Sequence, residues 1–138
     1  LAAFLYRMKQ ENISHYMRIV RHIRQIMPQF LEFYLEPDTS NRIKLRWQAA
    51  GGEEILGASH LSDGTLRFVA LTPLLLQPSD RAPATIILDE PEIGLHPEAL
   101  SVLAAEMSIA QQTSQLSMSV WIERASSSAI RKIPLQTG

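Results

Sequence analysis

The sequence predicts an α/β fold with mostly parallel core strands, an antiparallel β-meander and flanking helices, and three observations carry that prediction. First, Ile86-Ile87-Leu88 is an apolar run that ends abruptly in Asp89 and Glu90. A short continuous run of this kind reads as a strand buried on both faces. Second, apolar residues from Ile13 to Phe30 recur at three- and four-residue spacing, the period of an amphipathic helix. Third, from Leu31 the period changes to two, with turn residues between the runs.

The chain has 138 residues, enough for one domain with a core. Its hydrophobic share of 46% is ordinary for a globular protein. A net charge of −1 argues neither for nor against a nucleic-acid partner, so only a local patch could do so. The absence of cysteine excludes a disulfide framework and thiolate metal sites, which fits an expected cytoplasmic location. No apolar run approaches membrane-spanning length and no signal peptide is visible, so no membrane partner is expected. The first residue is Leu1 rather than Met, and a fragment is the expectation.

In chain order, residues 3–10 read as the tail of a helix. The next helix carries Ile13, Tyr16, Met17, Val20, Ile23, Met27 and Phe30 on its apolar face, is capped near Asn12 or Ser14, and ends around Pro28. Arg18, Arg21 and Arg24 lie on its other face, either as an ordinary solvated face or as a basic stripe for DNA or another partner. His15 and His22 lack the local neighbours of a metal site and read as structural. Phe33–Glu36, Arg42–Gln48 and Glu53–Gly57 read as three short strands, separated by turns at 37–41 and 50–52. Ser62 is a good N-cap for a helix carrying Leu66, Val69, Ala70 and Leu74, and Pro73 is expected to kink that helix or end its first half. Residues 77–83 form a surface loop, and Pro97–Gln112 is a helix with Leu100, Leu103, Ala104, Met107 and Ala110 inward.

Two places carry chemistry. Asp89 and Glu90 stand where a strand leaves the core, the edge at which open α/β sheets place ligands. One carboxylate can hold Mg²⁺ through water and the next can orient or deprotonate an attacking water; a strand ending in a polar turn is the plain alternative. The Ser62-Asp63-Gly64 helix start offers backbone N–H groups and a hydroxyl to a phosphate, with an ordinary capped helix as its alternative. Gly-x-x-x-x-Gly-Lys-[Ser/Thr] is absent, and Gly51-Gly52 does not form a phosphate loop.

The stretch from Ile86 to Pro97, Ile-Ile-Leu-Asp-Glu-Pro-Glu-Ile-Gly-Leu-His-Pro, resembles the Walker B strand and D-loop of ABC-type ATPases. It is most similar to the RecF/SMC-like branch of AAA-family P-loop ATPases. Leu61-Ser62-Asp63-Gly64-Thr65-Leu66-Arg67 lies upstream, in the order and near the spacing of that family's signature motif. The resemblance spans about residues 5–115. It implies a partial P-loop NTPase fold in which residues 1–138 are the C-terminal part of one ATPase domain. Residues 1–30 would be helical, 31–58 a β-meander, 59–115 the signature helix with Walker B and D-loop, and 116–138 a divergent tail.

That resemblance implies ATP and Mg²⁺ as cofactors and ATP hydrolysis as the activity. Asp89 would hold Mg²⁺ through water and Glu90 would be the general base. Ser62, Asp63 and Gly64 would contact ATP held by a second subunit, in a homodimer formed through the signature motif. Gly94, Leu95 and His96 would form the D-loop; His96 stands where ABC proteins usually carry aspartate, and reads either as a cross-dimer contact or as the residue that opens the following helix. A missing N-terminal segment would supply the P-loop. Two departures are visible: Asp63 replaces the glycine of ABC transporters, and no histidine beyond His96 serves as the family's switch residue. They leave two further readings open, a degenerate or truncated lobe acting as a non-catalytic interaction module and a DNA-associated scaffold.

Overall fold

The computed structural model describes residues 1–138 apart from 79, 84, 89–90, 114–116 and 121–138, with backbone alone at 85, 87, 111–113 and 117–120. The elements run α1 (Ala2–Glu11), α2 (Ile13–Ile26), β1 (Phe30–Tyr34), β2 (Arg46–Ala49), β3 (Ile55–Gly57), a 3₁₀ turn (Ala58–His60), α3 (Asp63–Leu75), β4 (Thr85–Leu88), α4 (Pro97–Thr113) and β5 (Ser117–Val120). The fold is α/β, as expected. β1, β2 and β3 form an antiparallel sheet in that order, and β4 pairs with β5 in parallel. Tail residues 121–138, part of the divergent tail in which the family's switch residue is not found, lie outside the described residues.

The first helices divide at Asn12, whose side chain accepts the His15 N–H at 3.2 Å and caps α2. α2 packs against α1, α3, α4 and β1, so it is the element around which the domain closes. Its buried residues are Tyr16, Ile19, Val20 and Ile23, followed by Met27 and Phe30. Ile13 and Met17, expected inside, are exposed, because the buried stripe of α2 runs through Tyr16, Ile19, Val20 and Ile23 and leaves them at its edge.

The meander departs from strict alternation for a definable reason. A β-bulge between Phe30 and Glu32 shifts the pairing of β1 with β2. The extra residue brings Phe30 and Phe33 to the same buried face, where regular pleating would oppose them. Their rings meet edge to face at 4.7 Å, and Phe30 stacks on Trp47 at 6.0 Å. β1 therefore begins earlier than the expected Phe33. β2 is shorter than Arg42–Gln48 because Asp38 captures the preceding turn: its Oδ1 accepts the Ser40 and Arg42 N–H groups, each at 2.9 Å. Those bonds, that of Arg42 first, hold the Asp38 carboxyl below the usual carboxylate range. Ile43 makes only an isolated bridge to Pro37.

α3 runs through Pro73 to Leu75, so the proline neither splits it nor ends its first half. Pro73 stands in the last turn, where little helix remains to be disrupted; the Leu76 N–H closes that turn on Thr72 O at 3.0 Å. The buried face is Gly64, Phe68, Val69, Thr72, Pro73 and Leu75, while Ala70, expected inward, is exposed. In α4 the inward residues are Ala99, Leu103, Glu106, Met107 and Ala110. Leu100 is half-buried and Ala104 exposed, because the stripe is centred on Leu103 and Glu106.

Glu106 is 0% exposed, and its Oε1 lies 2.8 Å from His22 Nδ1 on α2. Burial pushes the Glu106 carboxyl from its ordinary 4.5 up to about 8; Thr72 and then Arg18 oppose the shift. Thr72 Oγ1 and Glu106 Oε2 nonetheless lack a partner of hydrogen-bond geometry. Burial, then Arg18 and Arg21, lower the His22 pKa. Both directions favour a neutral pair below about pH 8, in which the Glu106 O–H donates to an uncharged imidazole. An ion pair would face the higher desolvation cost. α2 and α4 are thereby joined through a polar contact inside an apolar interface, with Thr72 of α3 alongside.

A group whose pKa rises on folding contributes stability that is lost as pH climbs from its unfolded to its folded value. For Glu106 that window runs from 4.5 to about 8. His22 acts oppositely, losing its contribution as pH falls below its ordinary 6.5, so above 6.5 only the Glu106 effect remains. Between pH 6.5 and 8 the pair should lose about 1–2 kcal/mol. Glu106→Gln, which cannot ionise, should remove that dependence; urea unfolding of both proteins across this range measures it, and parallel pH profiles would contradict the assignment.

Candidate functional site

The start of α3 is built by Ser62. Its backbone is extended, and its Oγ accepts the Thr65 N–H at 3.1 Å and lies 2.8 Å from Thr65 Oγ1. Asp63 and Gly64 occupy the first two helical positions, whose N–H groups have no intrahelical acceptor. These donors and the helix dipole make a positive end. Ser62 and Asp63 are exposed, whereas Gly64 is buried.

Gly64 is buried by the turn that follows β4. A Cβ on Gly64 would lie 1.9 Å from the Gly94 carbonyl oxygen and 2.9 Å from its carbon, so no side chain fits. Gly94 has φ +76°, a left-handed conformation that glycine adopts without strain. The turn closes with the Leu95 N–H donating to Glu92 O at 3.0 Å. Arg67, three residues beyond Gly64 on α3, donates Nη1–H to Ile93 O, also at 3.0 Å.

Five of the six described candidate residues converge on one small pocket of about 80 Å³: Ser62, Gly64, Gly94, Leu95 and His96, with Ile26, Thr65, Phe68 and Ala99 completing the lining. Small-molecule sites start at roughly 300 Å³. These residues can therefore contact one end of a ligand but cannot enclose a nucleotide. His96 is exposed, and its carbonyl accepts the Leu100 N–H at 3.1 Å, so it opens α4 while also lining the pocket. Asp63 is not among the lining residues.

Asp89 and Glu90 lie outside the described residues. Their sequence neighbours Leu88 and Pro91 are buried, as expected where a core strand gives way to a turn. Among the described residues, no group of three His, Cys, Asp or Glu side chains could hold a metal ion. No described helix is long and apolar enough to cross a membrane.

Two residues were missed in the sequence. Glu106 stands three positions after Leu103, on the stripe that packs inward, and a lone carboxylate on an otherwise apolar stripe was the available signal. Arg67 stands three positions after Gly64, a spacing that puts both on one side of the helix.

Residues 7–116 match the protein family described as "AAA domain, putative AbiEii toxin, Type IV TA system". The matched span takes in α2, the meander, α3, the Gly94 turn and α4. No curated protein shows significant similarity to the chain.

Gly64→Ala should destabilise the protein by about 1–3 kcal/mol, the usual range for overpacking, because α3 or the Gly94 turn must move. Gly52→Ala should change stability by less than about 0.5 kcal/mol, since an added Cβ there meets nothing closer than 3.8 Å. Thermal unfolding of the two variants distinguishes them; equal melting temperatures would mean that the Gly64–Gly94 contact is loose.

Proposed function

Because the chain belongs to the AAA-domain family that its residues 7–116 match, we propose that it forms the Walker B and signature half of an ATP-hydrolysing site of the ABC and RecF/SMC-like type. Family membership supports nucleotide binding with an ATPase-like function in general. The observation that carries the finer reading is the contact between Gly64 and Gly94, which gathers the signature-like helix start and the D-loop-like turn around one pocket.

The chemistry is divided among named groups. Ser62 Oγ and the Asp63 and Gly64 N–H groups are donors suited to a terminal phosphate at the positive end of α3. The small pocket suits contact with that end of ATP, the rest being held by a second subunit. Asp89 offers hard carboxylate oxygens of the kind that hold Mg²⁺, directly or through water. Neutralising charge on the β- and γ-phosphates is what the ion supplies when bound. Glu90 takes the proton of the attacking water as general base. Gly94, Leu95 and His96 face the second subunit, and a P-loop from outside residues 1–138 provides the lysine and backbone cradle that this sequence lacks.

The chain alone should not hydrolyse ATP, whereas the chain joined to a P-loop-bearing segment of its own family should. In the joined protein, Glu90→Gln should keep ATP binding and cut turnover by roughly 10²–10⁴-fold, the span of a positioned acid or base. Phosphate release and calorimetric titration with Mg-ATP give both numbers. Turnover close to that of the parent would remove Glu90 from this role, and a joined protein that neither binds nor hydrolyses ATP would overturn the reading.

A second expectation concerns the opposing subunit. Ser62→Arg should leave ATP binding intact and abolish ATP-dependent dimerisation, because the larger side chain would fill the phosphate seat. Size-exclusion chromatography with and without ATP reads the outcome, and an unchanged dimer would refute the composite site.

A further inference from the structure

At the ends of the turn that follows Asp89 and Glu90, Pro91 is buried and Leu95 packs against the core, but the middle of the turn has no apolar anchor. Ile93 is 51% exposed, and Gly94 has no side chain. The middle of the turn is held instead by two backbone oxygens in succession, each met by a residue of α3. The Gly94 carbonyl abuts Gly64, and the Ile93 carbonyl accepts from Arg67 Nη1 at 3.0 Å. One such point would let the turn pivot about it. Two points, three residues apart on one rigid helix, remove that freedom. The second is a charge-assisted hydrogen bond, stronger and more directional than one between neutral groups.

We propose that Arg67 is a positioning residue for ATP hydrolysis, holding the Ile93 carbonyl so that the turn after Asp89 and Glu90 moves as one body with the phosphate-facing start of α3. The proposal rests on the ATPase reading above. In that setting an anion docked at Ser62 and Gly64 fixes α3, and Arg67 passes the constraint to the segment that follows the two carboxylates. Arg67 touches neither nucleotide nor attacking water. Its effect falls on turnover, because hydrolysis depends on the placing of the reacting groups, while the affinity of a P-loop for ATP does not depend on this turn.

Arg67 is exposed on α3, so its substitution leaves the packed face of the helix in place. In the chain joined to its P-loop segment, Arg67→Ala should lower kcat by roughly 10- to 100-fold with ATP affinity unchanged, and Arg67→Lys, which keeps one charged donor, should recover part of the loss. Amide exchange at Leu95, which closes the turn, should quicken in the 138-residue Arg67→Ala chain and stay closer to the parent in Arg67→Lys. Unchanged kcat, a loss of kcat that tracks a loss of ATP affinity, or unchanged exchange at Leu95 would each overturn the proposal. A joined parent protein without any ATPase activity would overturn the proposal and the ATPase reading together; an active parent with an equally active Arg67→Ala variant would overturn the positioning role alone.

Discussion

The approach of Gly64 to Gly94 is the constraint on which the rest of the site depends. It requires two glycines for two different reasons. Gly64 must lack a Cβ because the Gly94 carbonyl occupies that space. Gly94 must reach φ +76° so that the turn can present that carbonyl at all. Neither residue is held by its own side chain, so the contact is only as firm as the elements that bring it about. The Ser62 cap fixes where α3 begins, and the buried end of β4 fixes where the turn begins.

Behind that contact stands a core arranged around α2. Phe68 and Val69 of α3, Leu103 and Met107 of α4, and Ile19 and Ile23 of α2 belong to one apolar cluster. The same cluster extends into the meander through Phe30, Phe33 and Trp47. Apolar packing is tolerant of small sliding movements. The Glu106–His22 hydrogen bond is not, since a shift of either helix would strand a buried polar group. The pair thus links α2 to α4, the helix into which the Gly94 turn leads. Its neutral form explains how a carboxyl can be wholly buried here without a cationic partner.

The small pocket also bears on how such a site is assembled. A domain that enclosed its nucleotide alone would present a larger cavity with a phosphate loop. Among the described residues, this one presents an exposed hydroxyl, helix N–H donors and a glycine turn around a recess of about 80 Å³. In the proposed mechanism, such a surface contributes to binding when a second subunit brings the ligand to it. The separation of ATP binding from hydrolysis in the proposed mechanism follows from that division: the groups that hold the nucleotide and the groups that act on it reside on different segments.

How much of this could be read from the residues themselves depends on the range of the interaction. Helix starts and the end of β4 were legible because they are set by neighbours in sequence: Ser62 caps a helix by reaching Thr65, Pro97 begins one, and an apolar run stops where charges begin; the ends of β1 to β3 were not, because pairing sets them. The site was legible as two motifs, with Ser62 and Gly64 in one and Gly94 to His96 in the other, and their roles were borrowed from a resemblance. Periodicity misplaced Ile13, Met17 and Ala104 among others, because it marks an apolar stripe without fixing which side of it a neighbouring element covers. The bulge at Leu31 was invisible, since pairing with β2 creates it. The sequence by itself determined the α/β class, the order of the elements and the local chemistry of each motif, all of which act over a few residues. Only the tertiary structure decided that Gly64 meets Gly94, that Arg67 holds Ile93 and that Glu106 finds His22 across 84 positions of chain. Such contacts arise from the packing of whole helices, and no short stretch of sequence contains both partners.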